Sequence, residues 1–355
     1  MSWVLYGAYG YTGQLLAEEA VRRGHRPLLA GRSAEKLEPL AKRLDLPFRA
    51  VGLDDAAGLR ALLAGQGAVL HAAGPFVRTS KPMADACLEV GAHYLDITGE
   101  LPVFQALYLR DAEARAKGVA LIPGVGFDVV PTDCLAVWLA GKVSSPRSLL
   151  LCLNAIGQPS AGTARSAVGL LPTGGLVRRG GELVRQPLGR GLRQVHFPHR
   201  DLWVMPLPLG DLESAWRSTH IPDITTCLAP PKSVVRLLRT TWRLTDVSMK
   251  LLGPVLRNEA VQRRLEAWAG ARAVGPDAAQ RAQGRSFVYG KVEGEGGTAE
   301  GWLETCEGYD FTAQAGVRSV EKVLAGKLVG ALSPAMAFGA DFVLEVGGTR
   351  RTPEG

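Results

Sequence analysis

Trp3-Val4-Leu5-Tyr6-Gly7-Ala8-Tyr9-Gly10-Tyr11-Thr12-Gly13-Gln14-Leu15-Leu16 decides the fold of this chain. Trp3–Tyr6 reads as a short buried strand, and the glycine run follows it at once. Residues 14–23 read as a helix with apolar Leu15, Leu16, Ala20 and Val21; Gly24 ends it, and a second strand begins near Arg26. Strand, glycine turn, helix and strand form the unit that sets a dinucleotide pyrophosphate against a helix N-terminus. There the backbone N–H groups and the helix dipole favour negative charge. Gly7 permits the tight exit from the strand. Gly10 lets phosphates approach the main chain, and Gly13 lets the helix pack closely on the strand. Tyr9, Tyr11 and Thr12 lie within the same turn and join the glycines as candidate cofactor contacts. The spacing is G-x-x-G-x-x-G, not the commoner G-x-G-x-x-G, and its weight comes from its place between strand and helix. A plain structural turn would use the same residues.

The second strand ends in Gly31-Arg32-Ser33, followed by Ala34-Glu35-Lys36-Leu37. NAD-preferring sites usually place Asp or Glu here for the ribose 2′-OH. This chain has Arg32, with Ser33 beside it and Lys36 one turn on, a set suited to a 2′-phosphate and hence to NADP(H). The other reading makes Arg32 a solvated arginine and Ser33 a helix cap; Ser33 can serve both roles.

At 355 residues, two domains or one large one are expected. Hydrophobic content of 46% and charge of 21% are ordinary for a globular protein. A net charge of +7 suits an anionic ligand, and equally nucleic acid or an acidic membrane surface. Without zinc-finger spacing or a basic low-complexity tail, no nucleic-acid partner is expected. Cys87, Cys134, Cys152, Cys227 and Cys306 are scattered, odd in number and lack a CxxC pair, which argues against a disulfide framework. No signal peptide or membrane-spanning run is read, so the expectation is a reducing cytoplasm.

Further along, residues 36–44 read as a helix and 48–53 as a third strand ending in Asp54-Asp55. Asp54 either accepts from an adenine amino group, or a carboxylate here caps the helix over 56–63. Residues 68–73 form a nearly continuous apolar strand, as one buried on both faces should. The small residues after it bring Ala73, Gly74 and Pro75 to the edge where open α/β sheets bind ligands. His71 precedes that turn and reads mainly as a packed strand residue. A helix over 79–90, a strand over 93–97, a helix over 102–117 and a strand over 119–123 complete the alternation. The fold class is therefore α/β: an N-terminal doubly wound Rossmann domain, with a second α+β domain on a mainly antiparallel sheet.

The G-x-x-G-Y-T-G turn, G-R-S after the second strand, A-A-G-P-F, H-Y-L-D-I-T-G-E and P-G-V-G-F-D-V-V-P-T-D resemble the saccharopine dehydrogenase-like family of NADP-binding oxidoreductases. The resemblance is to its enoyl-reductase branch, and Ser333-Pro334-Ala335-Met336-Ala337-Phe338-Gly339 shares it. It implies NADPH-dependent hydride transfer to an enoyl, carbonyl or imine substrate, lipid-like in that branch. The carboxylate-gripping set of true saccharopine reductases is not matched, so saccharopine itself is not implied. In the family reading the loop over 124–133 lies near the nicotinamide, where Asp128 orients substrate or relays a proton. Alternatively Asp128 stabilises its own loop and Asp133 caps the helix over 134–142. Tyr94 and Glu100 are further catalytic candidates, since their strand points at the same edge.

The second domain is expected over residues 131–346, after a first over 1–130, with a disordered tail over 347–355 and a C-terminal part able to pack back on the first. Residues 148–155 read as a strand and 161–171 as a helix. Residues 178–200 carry six arginines against Glu182 and read as an exposed hairpin or mobile loop. His196 and His199 lack a third ligand, so no metal is expected. Residues 232–269 read as a basic helix broken at Gly253-Pro254, which either meets an anionic membrane through 232–257 or packs over a sheet. Residues 286–292 and 298–306 alternate as a hairpin, 312–324 read as a helix and 338–346 as a last strand. A homodimer is the base expectation for such an enzyme. Two other functions fit the same residues: a non-catalytic NADP-binding regulator, or a lipid-handling protein of the membrane surface.

Overall fold

The structure, a computed structural model, describes residues 2–155, 157–170 and 173–353. The chain runs β1 (Trp3–Tyr6), α1 (Tyr11–Arg22), β2 (Leu28–Gly31), α2 (Ala34–Leu44), β3 (Phe48–Ala50), α3 (Ala56–Leu63), β4 (Ala68–His71), α4 (Phe76–Val90), β5 (His93–Asp96), α5 (Leu101–Tyr108), α6 (Asp111–Lys117) and β6 (Ala120–Ile122). Next come α7 (Val130–Ala140), β7 (Pro146–Ala155), α8 (Ala161–Leu170), β8 (Gly175–Arg179), β9 (Glu182–Gln186), β10 (Arg193–Phe197), β11 (Arg200–Pro206), α9 (Asp211–Thr219), β12 (Asp223–Leu228), α10 (Lys232–Arg257), α11 (Glu259–Arg272), α12 (Ala278–Gln283), β13 (Arg285–Gly294) and β14 (Gly297–Cys306). The chain ends through α13 (Gly308–Ala325), β15 (Gly330–Ala331), α14 (Pro334–Phe338), a 3-10 turn at Phe342–Glu345 and β16 (Arg350–Thr352).

Two units emerge: residues 1–130 with 309–339, and residues 131–308 with 340–355. The first holds a parallel sheet of order β15-β6-β5-β4-β1-β2-β3. The chain winds outward from β1 on one side and from β4 on the other, so the switch point lies between them. Both faces are covered, as the unbroken burial of Trp3–Tyr6 and Ala68–His71 requires.

Residues 309–339, from the C-terminal part of the chain, belong to this unit. The cause is the apolar stripe of α13: Val317, Val320 and Val323 are buried in one cluster with Leu16, Ala20 and Leu29. Gly316 lets the helices close up, since a Cβ there would lie 2.8 Å from Leu16 Cδ2. Glu321 adds an ion pair with Arg23 at 2.5 Å and a contact with His25 Nε2 at 2.7 Å.

The second unit's sheet has the order β10-β11-β12-β7-β13-β14-β16, with β8 and β9 joined through β12. Only β12 and β7 run parallel among these pairs, so the sheet is mainly antiparallel. Of the two readings of the arginine-rich stretch, the structure has the hairpin, β8 paired with β9, followed by β10. Arg178 explains part of this. Its buried guanidinium donates Nε–H to Leu212 O at 2.9 Å, pairs with Glu213 at 2.9 Å and stands 4.9 Å from the Trp216 ring centroid.

Other expectations shift by a definite physical cause. α4 starts at Phe76 rather than at Thr79, because the Glu100 carboxylate accepts from its first N–H groups. The helix expected over 102–117 is split into α5 and α6, with Arg110 at the break paired to Asp85 and Glu113. α10 continues through Gly253-Pro254 and ends at Asn258, whose side chain caps α11 by accepting from Ala260 and Val261 N–H. The strand expected over 338–346 is α14 and a 3-10 turn, with Ser333 capping α14 and Phe342 and Val343 buried. The tail expected to be disordered contains β16, paired with β14 and anchored by Arg350 on Glu304 at 2.5 Å. Residue 171 of the expected helix 161–171, and residues 354–355 of the tail, lie outside the described residues. All five cysteines are free.

Candidate functional site

The turn after β1 is built by contacts that leave no room for side chains. Gly7 has φ +85°, and a Cβ there would lie 2.8 Å from the Ala72 carbonyl carbon and from Ala73 N. The turns after β1 and β4 thus touch at the switch point. A Cβ on Gly13 would lie 2.2 Å from Gly7 O, so α1 sits directly on the turn. Gly10 is the N-cap of α1; no side chain caps it, and the first helical turn has no acid. That N-terminus, with Thr12 in its first turn, is open to an external anion.

Aromatic rings flank it. The Tyr9 ring lies against Gly31, where a Cβ would be 2.7 Å from Tyr9 Cε1, and Lys36 Nζ is 5.9 Å from that ring's centroid. Tyr11 meets Tyr309 of α13 edge-on, with centroids 4.8 Å apart.

Arg32 is exposed and makes no hydrogen bond or ion pair among the described residues. Ser33 caps α2, its Oγ accepting from Lys36 N at 3.4 Å. Asp55, not Asp54, caps α3 by accepting from Gly58 N at 2.8 Å, which leaves Asp54 exposed at the end of β3. Ala73 and Gly74 lie partly open beside them, and Pro75 follows as the N-cap of α4.

The acidic candidates separate into three environments. Tyr94 is fully buried and donates its hydroxyl to Asp96 Oδ2 at 2.6 Å. Asp96 Oδ1 accepts from Thr98 N at 3.0 Å and Gly124 N at 2.9 Å, tying the turns after β5 and β6 together. Burial first, then the Asp96 charge, pushes the Tyr94 hydroxyl well above its usual range. Its position makes Tyr94 a strut for Asp96.

Glu100 is also buried, with Oε1 accepting from Phe76 N at 3.1 Å and Oε2 from Val77 N at 2.8 Å. It caps α4 across the fold. Glu100→Gln is expected to lower stability by about 0.5–2 kcal/mol, through loss of charge at the helix N-terminus. Thermal unfolding followed by circular dichroism measures it.

Asp128 differs from both. Solvent touches its side chain, while surrounding protein strips away enough water to raise its carboxyl to about 6, with Glu100 adding to the rise. Asp128 stands over Gly99, where a Cβ would be 3.1 Å from Asp128 Oδ2. Its loop is pinned: Val125 N donates to Asp96 O at 2.8 Å, and Phe127 N donates to Thr312 Oγ1 at 3.0 Å. The Phe127 and Phe311 rings meet at 5.8 Å.

Two further residues are structural. Asp133 lies inside the first turn of α7, not ahead of it, and accepts from Ser218 Oγ at 2.7 Å. His71 is buried against Tyr6, Phe76 and Tyr94 with Nε2 on Thr79 Oγ1 at 3.0 Å, and burial lowers it to about 3, so it stays neutral. The carboxyl edge of the sheet therefore gathers the glycine turn, Arg32, the turn at Ala73–Pro75 and Asp128. It also gathers Tyr309, Phe311 and Thr312, which sequence reading missed, because no local pattern links them to residues 11 and 127.

A parallel sheet with an uncapped glycine-rich helix N-terminus at its switch point defines a dinucleotide-binding domain. Residues 3–122 match the saccharopine dehydrogenase NADP binding domain, so this stretch is similar to that domain and the cofactor it supports is NADP(H). A trans-acting enoyl reductase of Mycobacterium leprae is 34% identical over 157 residues, which is 42% of this chain and 38% of that protein. A saccharopine dehydrogenase-like oxidoreductase of Bos taurus is 33% identical over 161 residues, 40% of this chain and 38% of that one. The match thus spans well under half the length of these relatives. Apo saccharopine dehydrogenase (L-Glu forming) from Saccharomyces cerevisiae superposes with a TM-score of 0.63 at 12% identity, covering 97% of this chain and 96% of that one, which establishes a shared fold. Among the described residues, no helix is long and apolar enough to cross a membrane.

Proposed function

We propose that the protein is an NADPH-dependent oxidoreductase acting on an enoyl, carbonyl or imine substrate. The observation that carries this is Arg32, exposed and unpaired at the end of β2, beside the uncapped N-terminus of α1. Relatives named as oxidoreductases support the reaction class, and those named enoyl reductases support an enoyl substrate.

Bound NADPH supplies the hydride. The chain's own residues do the rest. Backbone N–H groups at the start of α1 receive the pyrophosphate. Arg32, with Ser33 and Lys36, receives the 2′-phosphate, and the small residues at 73–75 admit the ribose. Asp128 holds a proton at pH values near its raised pKa and passes it to the atom that gains negative charge as hydride arrives.

Calorimetric titration of NADPH and NADH on wild type and Arg32→Ala tests the reading. A charge-assisted contact of about 1.5–3 kcal/mol predicts that the variant loses roughly 10- to 100-fold of its NADPH preference while NADH binding stays unchanged. Folded, nucleotide-free protein that binds neither dinucleotide would overturn it. Tight NADPH binding without turnover across a panel of enoyl, carbonyl and imine substrates would instead identify a non-catalytic NADP-binding protein.

A further inference from the structure

α10 packs one side against its own unit, and Lys232, Arg236, Leu237 and Arg239 on its remaining surface are exposed, with the Arg239 guanidinium 5.2 Å from the Trp203 ring centroid. Val235 and Leu238 are buried. A Cβ on Gly189 would lie 3.2 Å from Trp242 Cβ and 3.3 Å from Leu238 Cβ, and Thr245 Oγ1 donates to Leu188 O at 2.9 Å. These residues mark the inward side of the helix.

The register of the outward side is sharply divided. At about 100° per residue, Lys232, Arg236 and Arg239 fall within roughly 60° of one another along one flank, and all three are exposed. Asp246 is the single acid in the helix sequence. Along the other flank lie Leu237 and Val255. Leu237 is 61% exposed and Val255 54%. In the following helix, Trp268 is 59% exposed, with the Arg272 guanidinium 4.3 Å above its ring.

We propose that α10 is a docking surface for an anionic lipid bilayer. The described face presents cations beside exposed apolar side chains, which matches headgroup phosphates lying beside acyl chains. A second copy of the chain fits less well: a symmetric pairing across this face sets one group of cations against the other. Nucleic acid would satisfy the cations and leave Leu237 and Val255 in water. The surface does not depend on the redox reading of the first unit.

Flotation of the full chain with phosphatidylcholine vesicles, and with vesicles that also contain phosphatidylglycerol, tests the proposal. The expected result is flotation with the anionic vesicles alone, weakened by salt. Arg236→Glu/Arg239→Glu is expected to lower it at least about tenfold, and Leu237→Glu to weaken it at both salt concentrations. Unchanged circular dichroism and unchanged NADPH affinity confirm that each variant is folded. No flotation with anionic vesicles overturns the proposal, and so does equal flotation of the double variant. A dimer that Leu237→Glu converts to monomer, with flotation unaltered, also overturns it and assigns this apolar flank to a second copy.

Discussion

Gly13→Ala is expected to abolish measurable NADPH binding and to destabilise the protein by about 3 kcal/mol, the upper end of what overpacking usually costs. The added Cβ would lie 2.2 Å from Gly7 O and 2.9 Å from Ala8 Cα, and both are backbone atoms. Gly7 has little room to retreat, because even a Cβ on it would lie 2.8 Å from the Ala72 and Ala73 backbone and it is held at φ +85°. Relief requires α1 to lift off β1, which moves the N–H groups away from where the pyrophosphate must sit. Gly24→Ala is the control. Gly24 also has positive φ, +84°, but nothing lies within 4 Å of its missing Cβ, so only the left-handed backbone penalty of about 1 kcal/mol applies. Thermal unfolding and NADPH titration on both variants measure the difference. Wild-type affinity and melting temperature in Gly13→Ala would show that the turn is not held as described.

Asp128→Asn is expected to reduce kcat by roughly 10²- to 10⁴-fold, the usual worth of a positioned proton donor. NADPH affinity should not change. The sign of the pH dependence follows from the raised carboxyl. Partial loss of water to the surrounding protein, with the Glu100 charge, lifts it to about 6, so the proton is present below that pH and is lost as pH rises through it. In the reducing direction, wild-type kcat/KM should therefore fall above pH about 6, and the asparagine variant should lose that limb. In the oxidising direction the carboxylate is the active form, and the limb inverts. If Asp128 serves only its own loop, Asp128→Asn will melt at a lower temperature and keep the wild-type pH profile.

The parts of the fold legible in the sequence are those whose determinants lie close together along the chain. The β1–α1 turn is one, since Gly7, Gly10 and Gly13 act on neighbours within a few residues. The β13–β14 hairpin is another, with its alternation and its Gly294 to Gly297 turn in direct register. What escaped the sequence depends on partners far along it. The start of α4 is decided by Glu100, and the order of β8 by the groups that Arg178 meets in α9. Pro254 has the profile of a helix breaker, yet the chain stops at Asn258, where a side chain can take over the free N–H groups. Within the candidate site, Arg32 and Asp128 are proposed from their local setting alone. The burial that commits Tyr94 to Asp96 could not be read that way, since period-two patterning does not say which hydroxyl finds a carboxylate. Tyr309, Phe311 and Thr312 were out of reach for the same reason as α13 itself.

The position of α13 also has a consequence during synthesis. The first unit lacks a covering helix until residues 309–325 leave the ribosome, after the whole of residues 131–308. At roughly 5–20 residues per second, Leu16, Ala20 and Leu29 wait on the order of ten to forty seconds for their partners. The nascent nucleotide unit is thus a candidate client for chaperones throughout that interval. A fragment ending at residue 130 should behave as the arrested form of it, sticky and short of full stability, and co-expressing residues 305–345 as a separate peptide should rescue its solubility.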